Sequence, residues 1–225
     1  MKITSIEAKT IPEAWFLCIR ELMKPGLVTA IPKGIREYVI DRGSFEKTHI
    51  RREFDCVSIH IEYPGSRPLS PDVPTGVPSP CSDEAIEEKY LPYIMTGVKQ
   101  PNEQYTYGED IVEQIPEVVR MYREDGYNTN QAFIAVGSKE SLKLKDPQCL
   151  RLIDTRISYG KLHFIVYFRS WDLWGGLPVN LGGIQILKEY MASEIGVEDG
   201  ELIAFSKGLH LYDTCWDLAN KVLRR

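Results

Sequence analysis

The chain of 225 residues is 43% hydrophobic and mildly acidic, with 27 Lys and Arg against 32 Asp and Glu. This length supports one substantial core and favours a single domain over residues 1–225. Because the basic residues are scattered, the composition argues against a general nucleic-acid surface. The charged amino terminus and the short apolar runs argue against a signal peptide and a membrane span, so we expect a cytoplasmic protein.

The cysteines and histidines show no metal-binding spacing. The five cysteines include no C-x-x-C pair, and the four histidines form no ligand cluster with them. We therefore expect no metal site. An odd number of cysteines is typical of free thiols in a reducing compartment.

The amino-terminal region begins with a strand and a helix. Residues 2–9 can form the strand, and the helix follows from about Pro12 to Lys24. Thr10 and Glu13 make a capping-box signature before the helix, and Pro25-Gly26 predicts its end.

The middle of the chain alternates between regular and irregular segments. Apolar residues alternate over 57–61, which predicts a strand with one buried face. Six prolines within 64–80 then exclude regular structure and predict a long ordered loop or a flexible arm. Helices are expected at about 82–96 and 110–124, and a buried strand at 132–136.

A cysteine and an arginine meet at one end of a predicted hairpin. Two strands, one of them starting at Cys149, are joined by a tight turn. With Tyr159-Gly160 as its loop, Cys149 lies opposite Ser170 and diagonal to Arg169. A guanidinium this close favours the thiolate, which is the reactive form of cysteine. An arginine can also hold a phosphate, so the pair suggests covalent chemistry on a nucleotide.

After Asn180 the pattern predicts a long helix. Apolar residues recur at helical spacing from Ile184 to Ile195, and Gly196 ends the helix. Strands and helices alternate irregularly along the chain, with at least one hairpin. This order predicts an α+β domain built on a mixed or antiparallel β-sheet flanked by helices.

Four short motifs follow one another in this half of the chain. They are Cys149-Leu150, Arg169-Ser170-Trp171-Asp172, Gly176-Leu177-Pro178-Val179-Asn180 and His210-Leu211-Tyr212. The set resembles the thymidylate synthase family, whose pattern is a nucleophilic Cys followed by R-S-x-D, G-x-P-F-N and H-x-Y. Order and spacing agree over residues 145–217, and the details are similar to the short archaeal branch. The resemblance implies a thymidylate synthase-like fold.

The resemblance implies a role for each motif residue. Cys149 would add to C6 of the uracil ring of dUMP and so activate C5 for methylation to dTMP. Arg169 and Ser170 would hold the 5′-phosphate. Asn180 would read the N3–H and O4 edge of uracil with its amide.

The same resemblance implies the remaining contacts. His210 and Tyr212 would bind the 3′-hydroxyl of the sugar, and Tyr107 would belong to the proton-transfer network at C5. Asp172, with Gly176 beside it, would face the pterin of a reduced one-carbon carrier. That carrier is either methylene-tetrahydrofolate or a methylene-tetrahydromethanopterin-type compound. The family also implies a homodimer packed through the faces of its sheets.

The chain departs from the family pattern at the phosphate site. Asn130-Gln131 stands where an Arg-Arg pair reaches into the partner subunit's site. We prefer Arg51 or Arg52 as the replacement, because they immediately precede a strand as the family's phosphate-loop arginine does. The full set of candidate replacements is Arg42, Arg51, Arg52, Arg120 and Arg123.

Two further departures concern catalysis and closure. The family's catalytic glutamate should lie near Glu87 or Glu88, but Tyr90 falls at the aligned position. The chain ends at Arg225 without the tail that closes over folate in longer relatives. We therefore expect the proline-rich segment 64–80 to exclude water from the pterin.

Three functions are compatible with these residues. The first is methylation of dUMP, and Asn180 favours uracil over cytosine because the related cytosine-specific enzymes tend to carry Asp there. The second is hydroxymethylation of a pyrimidine nucleotide. The third is a nucleotide-binding protein without turnover, which Asn130-Gln131 favours and which Cys149 beside Arg169 opposes.

Overall fold

The computed structural model describes residues 1–24, 31–43, 45–99, 101 and 103–224. Its strands are β1 (Ile3–Ala8), β2 (Ile35–Val39), β3 (Ile50–Phe54), β4 (Cys56–Ile61), β5 (Phe133–Ala135), β6 (Leu150–Ser158), β7 (Lys161–Phe168), β8 (Trp171–Asp172), β9 (Glu198–Ser206) and β10 (Leu209–Tyr212). Within the described residues they form two sheets, ordered β1-β4-β9-β7-β6-β5 and β2-β3-β10-β8. Both sheets mix parallel and antiparallel pairs. The second, four-stranded sheet was not predicted.

Helices pack against strands of both sheets. They are α1 (Ile11–Leu22), α2 (Asp83–Ala85), α3 (Leu91–Met95), α4 (Gly108–Ile111), α5 (Gln114–Arg120), α6 (Gly176–Ile195) and α7 (Trp216–Leu223). A π-helical segment, Ile86–Tyr90, joins α2 to α3. This arrangement confirms the predicted α+β class. In the part of the chain that the structure describes, no helix has the length and apolar character that crossing a bilayer requires.

The ends of α1 and α6 follow local rules. The Thr10 side chain accepts a hydrogen bond from the Glu13 N–H at 3.3 Å, as an N-cap should. The Glu13 carboxylate accepts from the Lys9 N–H at 2.7 Å, so it reaches one residue further back than a capping box predicts. Gly196 ends α6 with φ of 84°, the left-handed conformation that glycine adopts most easily. Pro25-Gly26, the predicted end of α1, lies outside the described residues.

The β6–β7 hairpin has the predicted turn but a different register at its far end. Tyr159 and Gly160 have φ of 54° and 72°, and the flanking residues pair directly. A β-bulge between Leu150 and Leu152 then shifts the pairing by one residue. The Arg169 N–H donates to the Cys149 carbonyl at 2.9 Å. Cys149 therefore lies opposite Arg169, and the predicted pairing with Ser170 is wrong.

The proline-rich segment 64–80 contains no helix or strand, yet it is packed against the rest of the molecule. Leu69 is fully buried. The backbone N–H groups of Leu69 and Ser70 donate to the Asp83 carboxylate at 3.1 and 2.7 Å. Arg67 forms a two-pronged ion pair with Glu189 of α6, at 3.0 and 2.8 Å. These contacts hold the loop in a defined position.

Candidate active site

A cavity of about 600 Å³ lies between the four-stranded sheet, the start of α6 and the Cys149 end of the hairpin. It is lined by ten of the residues that the sequence predicted for the site. These are Arg51, Tyr107, Cys149, Arg169, Ser170, Asp172, Gly176, Asn180, His210 and Tyr212. Arg52, the alternative to Arg51, does not line the cavity.

The pleat of β3 separates the two candidate arginines. Arg51 pairs with Tyr212 across the sheet and its Nη2 donates to the tyrosine hydroxyl at 3.1 Å. Arg52 points to the opposite face because successive side chains alternate along a strand. Its guanidinium binds Glu37 at 2.6 Å and lies 4.4 Å from the centroid of the Trp216 ring. The structure therefore brings Arg51, and not Arg52, to the cavity.

Arg169 fixes the segment that leads into Cys149. Its Nε donates to the Gln148 carbonyl at 3.1 Å, and its Nη2 donates to Asp146 at 3.0 Å and to the Pro147 carbonyl. Burial raises the pKa of the Cys149 thiol, and the Arg169 charge is the main factor that opposes this rise. The arginine thus both positions the sulfur and favours its thiolate.

Buried tyrosines form the wall next to Cys149. The Tyr107 hydroxyl accepts a hydrogen bond from the Leu150 N–H at 3.2 Å. Burial raises the pKa of Tyr107 well above its ordinary value, so this hydroxyl is neutral. Tyr105, which the sequence argument missed, packs 5.7 Å from the Tyr107 ring and lowers the pKa of Cys149 through its hydroxyl.

His210 and Tyr212 present complementary hydrogen-bonding groups. The His210 Nδ1 lies 2.8 Å from the Gly208 carbonyl, so Nδ1 carries the proton and Nε2 is an acceptor. Burial, with the Arg51 charge, lowers the pKa of His210 to about 3 and keeps the ring neutral. Within the described residues the buried Nε2 has no partner. The Tyr212 oxygen already accepts from Arg51, so its O–H is available to donate. An acceptor beside a donor suits a hydroxyl group.

The Asn180 amide is held by an indole. The Trp171 Nε1–H donates to Asn180 Oδ1 at 2.8 Å. Trp171 stacks on Phe168, with ring centroids 4.1 Å apart and planes 5° apart. Phe168 and Leu150 are fully buried. This side of the site is therefore apolar.

Asp172 sits at the amino terminus of α6. Its Oδ2 accepts from the backbone N–H groups of Gly175 and Gly176, both at 2.9 Å. A Cβ at Gly176 would lie 3.2 Å from the Asp172 Cβ, so a larger residue here would require Asp172 to shift by a few tenths of an ångström. The remaining oxygen, Oδ1, is the acceptor that the carboxylate can offer to a ligand.

Several expected residues lie away from the cavity. Glu87 and Glu88 are exposed, whereas the Tyr90 hydroxyl is buried beside Asn180. Asn130 and Gln131 are exposed too, and the Asn130 Oδ1 accepts from Arg156 at 3.3 Å.

Of the other candidate arginines, Arg42 lines the cavity. Arg120 is held in ion pairs with Glu117 and Glu124 on the surface, at 2.7 and 3.2 Å. Across the described ranges, no group of His, Cys, Asp and Glu is placed to hold a metal ion.

Comparison with known proteins agrees with the motifs. The thymidylate synthase family model matches residues 90–225. A protein of Methanosarcina acetivorans named "Putative thymidylate synthase" is 27% identical over 225 residues, covering 97% of this chain and 94% of that protein. A protein of the same name from Methanothermobacter thermautotrophicus is 25% identical over 236 residues, covering 98% of each.

A shorter match joins the chain to a bacterial protein. The "Thymidylate synthase" of Listeria monocytogenes serotype 4b is 27% identical over 143 residues, which cover 64% of this chain and 46% of that protein. The family model spans more than half of the chain. The chain therefore belongs to the thymidylate synthase family and is a thymidylate synthase-like methyltransferase.

Proposed function

We propose that this chain methylates C5 of dUMP to give dTMP through a covalent bond between Cys149 and C6 of the uracil ring. The observation that carries the proposal is the meeting of three kinds of group in one cavity. Cys149 lies beside Arg169, the Asn180 amide can read a base edge, and His210 with Tyr212 can bind a sugar hydroxyl.

The proposed first step follows from the chemistry of the thiolate. The Cys149 thiol gives up its proton, and the sulfur electron pair forms the S–C6 bond. The C5=C6 π pair moves through C4 to O4, so the ring becomes an enolate with nucleophilic density at C5. The reduced pterin would supply both the methylene carbon that bonds to C5 and the hydride that reduces this carbon to methyl as the carrier leaves it. The original C5 proton leaves to solvent, and Cys149 departs with its electron pair as the C5=C6 bond is restored.

The chain's own groups support this step electrostatically. The Arg169 guanidinium favours the thiolate over the thiol. The Tyr107 hydroxyl is neutral and buried, so it can pass a proton without becoming an anion itself. A cavity with buried walls strengthens each of these interactions relative to water.

Proton exchange at C5 tests the covalent step without needing the carrier. The wild-type chain should release tritium from C5-labelled dUMP, and Cys149→Ser should abolish release while binding dUMP within about threefold of wild type. Cys81→Ser, which removes a thiol outside the cavity, should exchange normally. Exchange that persists in Cys149→Ser contradicts the assignment. Binding without exchange in the wild type would instead indicate a silent nucleotide-binding protein, and a hydroxymethylated product would indicate the alternative enzyme.

We assign the 5′-phosphate to Arg51, Arg169 and Ser170. The Arg51 Nε is buried and, within the described residues, makes no hydrogen bond, so it is a ready donor for an anion. Arg42 lines the same cavity and can add a further positive charge. The chain has Asn130 and Gln131 in place of the family's arginine pair. In this proposal, the arginines of the cavity supply the positive charge that binds the phosphate instead.

The alternation of β3 makes the phosphate assignment testable. Arg51→Gln should weaken dUMP binding by about 10- to 100-fold, because it removes charge-assisted hydrogen bonds. Arg52→Gln should leave dUMP affinity within about twofold. Deoxyuridine, which lacks the phosphate, should bind both variants with the same affinity, as measured by calorimetry. Equal loss of dUMP affinity in both variants would contradict the assignment.

We assign the sugar 3′-hydroxyl to His210 and Tyr212, with neutral His210 as the acceptor. In the folded chain the pKa of His210 is about 3, and its ordinary value is 6.5. As the pH falls below 6.5 the unfolded chain takes up a proton at this position and the folded chain does not. The free energy of unfolding should therefore decrease between about pH 6.5 and pH 3.

Chemical denaturation across this pH range measures the effect. His210→Gln has no imidazole to protonate in the unfolded chain, so this part of the acid destabilisation should be missing. Parallel stability-against-pH curves for the wild type and His210→Gln would show that His210 is not held neutral.

We further propose a homodimer formed through the face of the six-stranded sheet that carries no helix. Phe205 of β9 is 39% exposed on that face, and Ile203 beside it is only partly buried. The same face also carries His60, which forms hydrogen bonds with Glu7 and Glu201. Exposed apolar side chains on a sheet face without helices suit burial against a second copy.

Sedimentation equilibrium tests the dimer. Phe205→Glu places a charge in the proposed interface and should shift the chain to monomers at micromolar concentration. Leu142→Glu alters a residue that is 81% exposed and should leave the oligomeric state unchanged. A wild-type monomer that retains exchange activity would refute the dimer.

For the one-carbon carrier we propose a reduced pterin held by Asp172 and Gly176. The free carboxylate oxygen suits the N–H edge of a pterin, and the glycines let the ring approach the backbone. A neighbouring cavity of about 610 Å³ shares Asp146 with the first and is lined by Lys89, Tyr93 and Glu103. We propose that this carrier is of the methanopterin type rather than a folate.

Calorimetry with each carrier, in the presence of 5-fluoro-dUMP, tests this preference. Methylene-tetrahydromethanopterin should bind at least about tenfold more tightly than methylene-tetrahydrofolate. Protection of segment 64–80 from proteolysis in the ternary complex is expected too, since the Pro80 carbonyl lies 3.6 Å from where a Gly175 Cβ would stand. Tighter binding of the folate carrier would contradict the carrier proposal, and an unprotected segment would contradict its role as the cover.

A further inference from the structure

One partner of the Asn180 amide permits a single amide orientation. The Trp171 indole N–H can only donate a hydrogen bond, and it lies 2.8 Å from Asn180 Oδ1. The atom that faces the indole must therefore be the amide oxygen. Turning the amide by 180° would place its NH2 group against the indole N–H, donor against donor.

Trp171 is itself firmly held. It is 2% exposed, and its ring lies flat on Phe168 with centroids 4.1 Å apart. Its backbone N–H donates to the Gly208 carbonyl at 2.9 Å. Because ring and backbone are both fixed, the indole N–H cannot turn away to accommodate a reversed amide.

Tyr90 lies on another side of the same amide. Its hydroxyl is buried beside Asn180 and makes no hydrogen bond of normal geometry within the described residues. Burial raises the pKa of Tyr90 well above its ordinary value, so the group is a neutral hydroxyl whose oxygen can accept one amide N–H. The ring is seated against Gly183, where a Cβ would lie 2.5 Å from the Tyr90 Cδ1. The amide then has one oxygen lone pair and one N–H to offer a base.

We propose that Trp171 determines base specificity by locking the Asn180 amide in the orientation that reads uracil. This inference rests on the proposed function, in which Asn180 meets the base edge. Uracil presents an N3–H donor and an O4 acceptor, which match the free lone pair and the free N–H. Cytosine presents an N3 acceptor and an N4 amino donor, so it requires the reversed amide that Trp171 forbids.

Trp171→Phe is the direct test, because phenylalanine retains an aromatic ring against Phe168 and removes the indole donor. Dissociation constants of dUMP and dCMP are measured by calorimetry. The preference for dUMP should fall about tenfold or more, with dCMP gaining affinity as the amide becomes free to reverse. Trp216→Phe removes an indole outside the cavity and should keep the wild-type preference within about twofold.

A second background separates this role from general disturbance of the pocket. In Asn180→Asp the two carboxylate oxygens are both acceptors, so turning this side chain by 180° does not change its hydrogen-bonding pattern. Adding Trp171→Phe to that variant should leave its ratio of dUMP to dCMP affinity within about twofold. A tenfold change in both backgrounds would show that Trp171 acts through pocket shape and would overturn the inference.

The outcomes also distinguish this inference from the proposed function. If the wild type does not bind dUMP, the proposed function fails. If it prefers dUMP and Trp171→Phe keeps that preference, only the lock fails. Should Trp171→Phe unfold, nitrogen-15 tryptophan NMR of the wild type replaces it. The Trp171 indole N–H should exchange slowly with solvent in the dUMP complex, and rapid exchange would refute the lock.

Discussion

The hydrogen bonds of the Arg169 guanidinium hold the reactive end of the site together. They join the end of β7 to the carbonyl oxygens of Pro147 and Gln148 and to the Asp146 carboxylate, the three residues that precede Cys149. The same cation opposes the burial that raises the pKa of the thiol. Position and reactivity of the Cys149 thiol thus depend on one side chain. Under the proposed function, a phosphate bound at this arginine would compete with Asp146 and so couple substrate binding to the placement of Cys149.

Local patterns predicted the hairpin and α6 because turn chemistry and helical periodicity reside in neighbouring residues. The bulge between Leu150 and Leu152 could not be predicted in this way. A bulge leaves one residue unpaired, and the contacts that compensate for it come from elsewhere in the fold. Arg151, at the bulge, reaches Gln148 at 3.4 Å and lies close to Gly137. The consequence for the site is large, since one shifted residue places Arg169 opposite Cys149.

The four-stranded sheet shows a second limit of the sequence. Its pairs join residues far apart in the chain, such as Arg51 and Tyr212, which are separated by 161 positions. One of its strands, β8, has two residues and therefore no readable alternation. The motif residues themselves were predictable from type and spacing. The face of the sheet on which each side chain lies was not predictable. Arg51 and Arg52 were equivalent candidates in the sequence, and the pairing of β3 with β10 separated them.

Under the proposed function, the apolar wall beside Asn180 would let the site keep its base selectivity with fewer polar groups. A buried His or Gln needs its own partners, so replacing one while keeping the others would leave a hydrogen-bonding group unpaired. Here Leu150 and Phe168 are both apolar, and Phe168 supports the indole that contacts the amide. A network of adjustable polar groups can rearrange for a second base. An amide held by a rigid donor cannot, because reversing it conflicts with a group that has no alternative hydrogen-bonding role. One rigid hydrogen bond, from Trp171 to Asn180, can therefore fix the amide orientation that would otherwise require several polar groups.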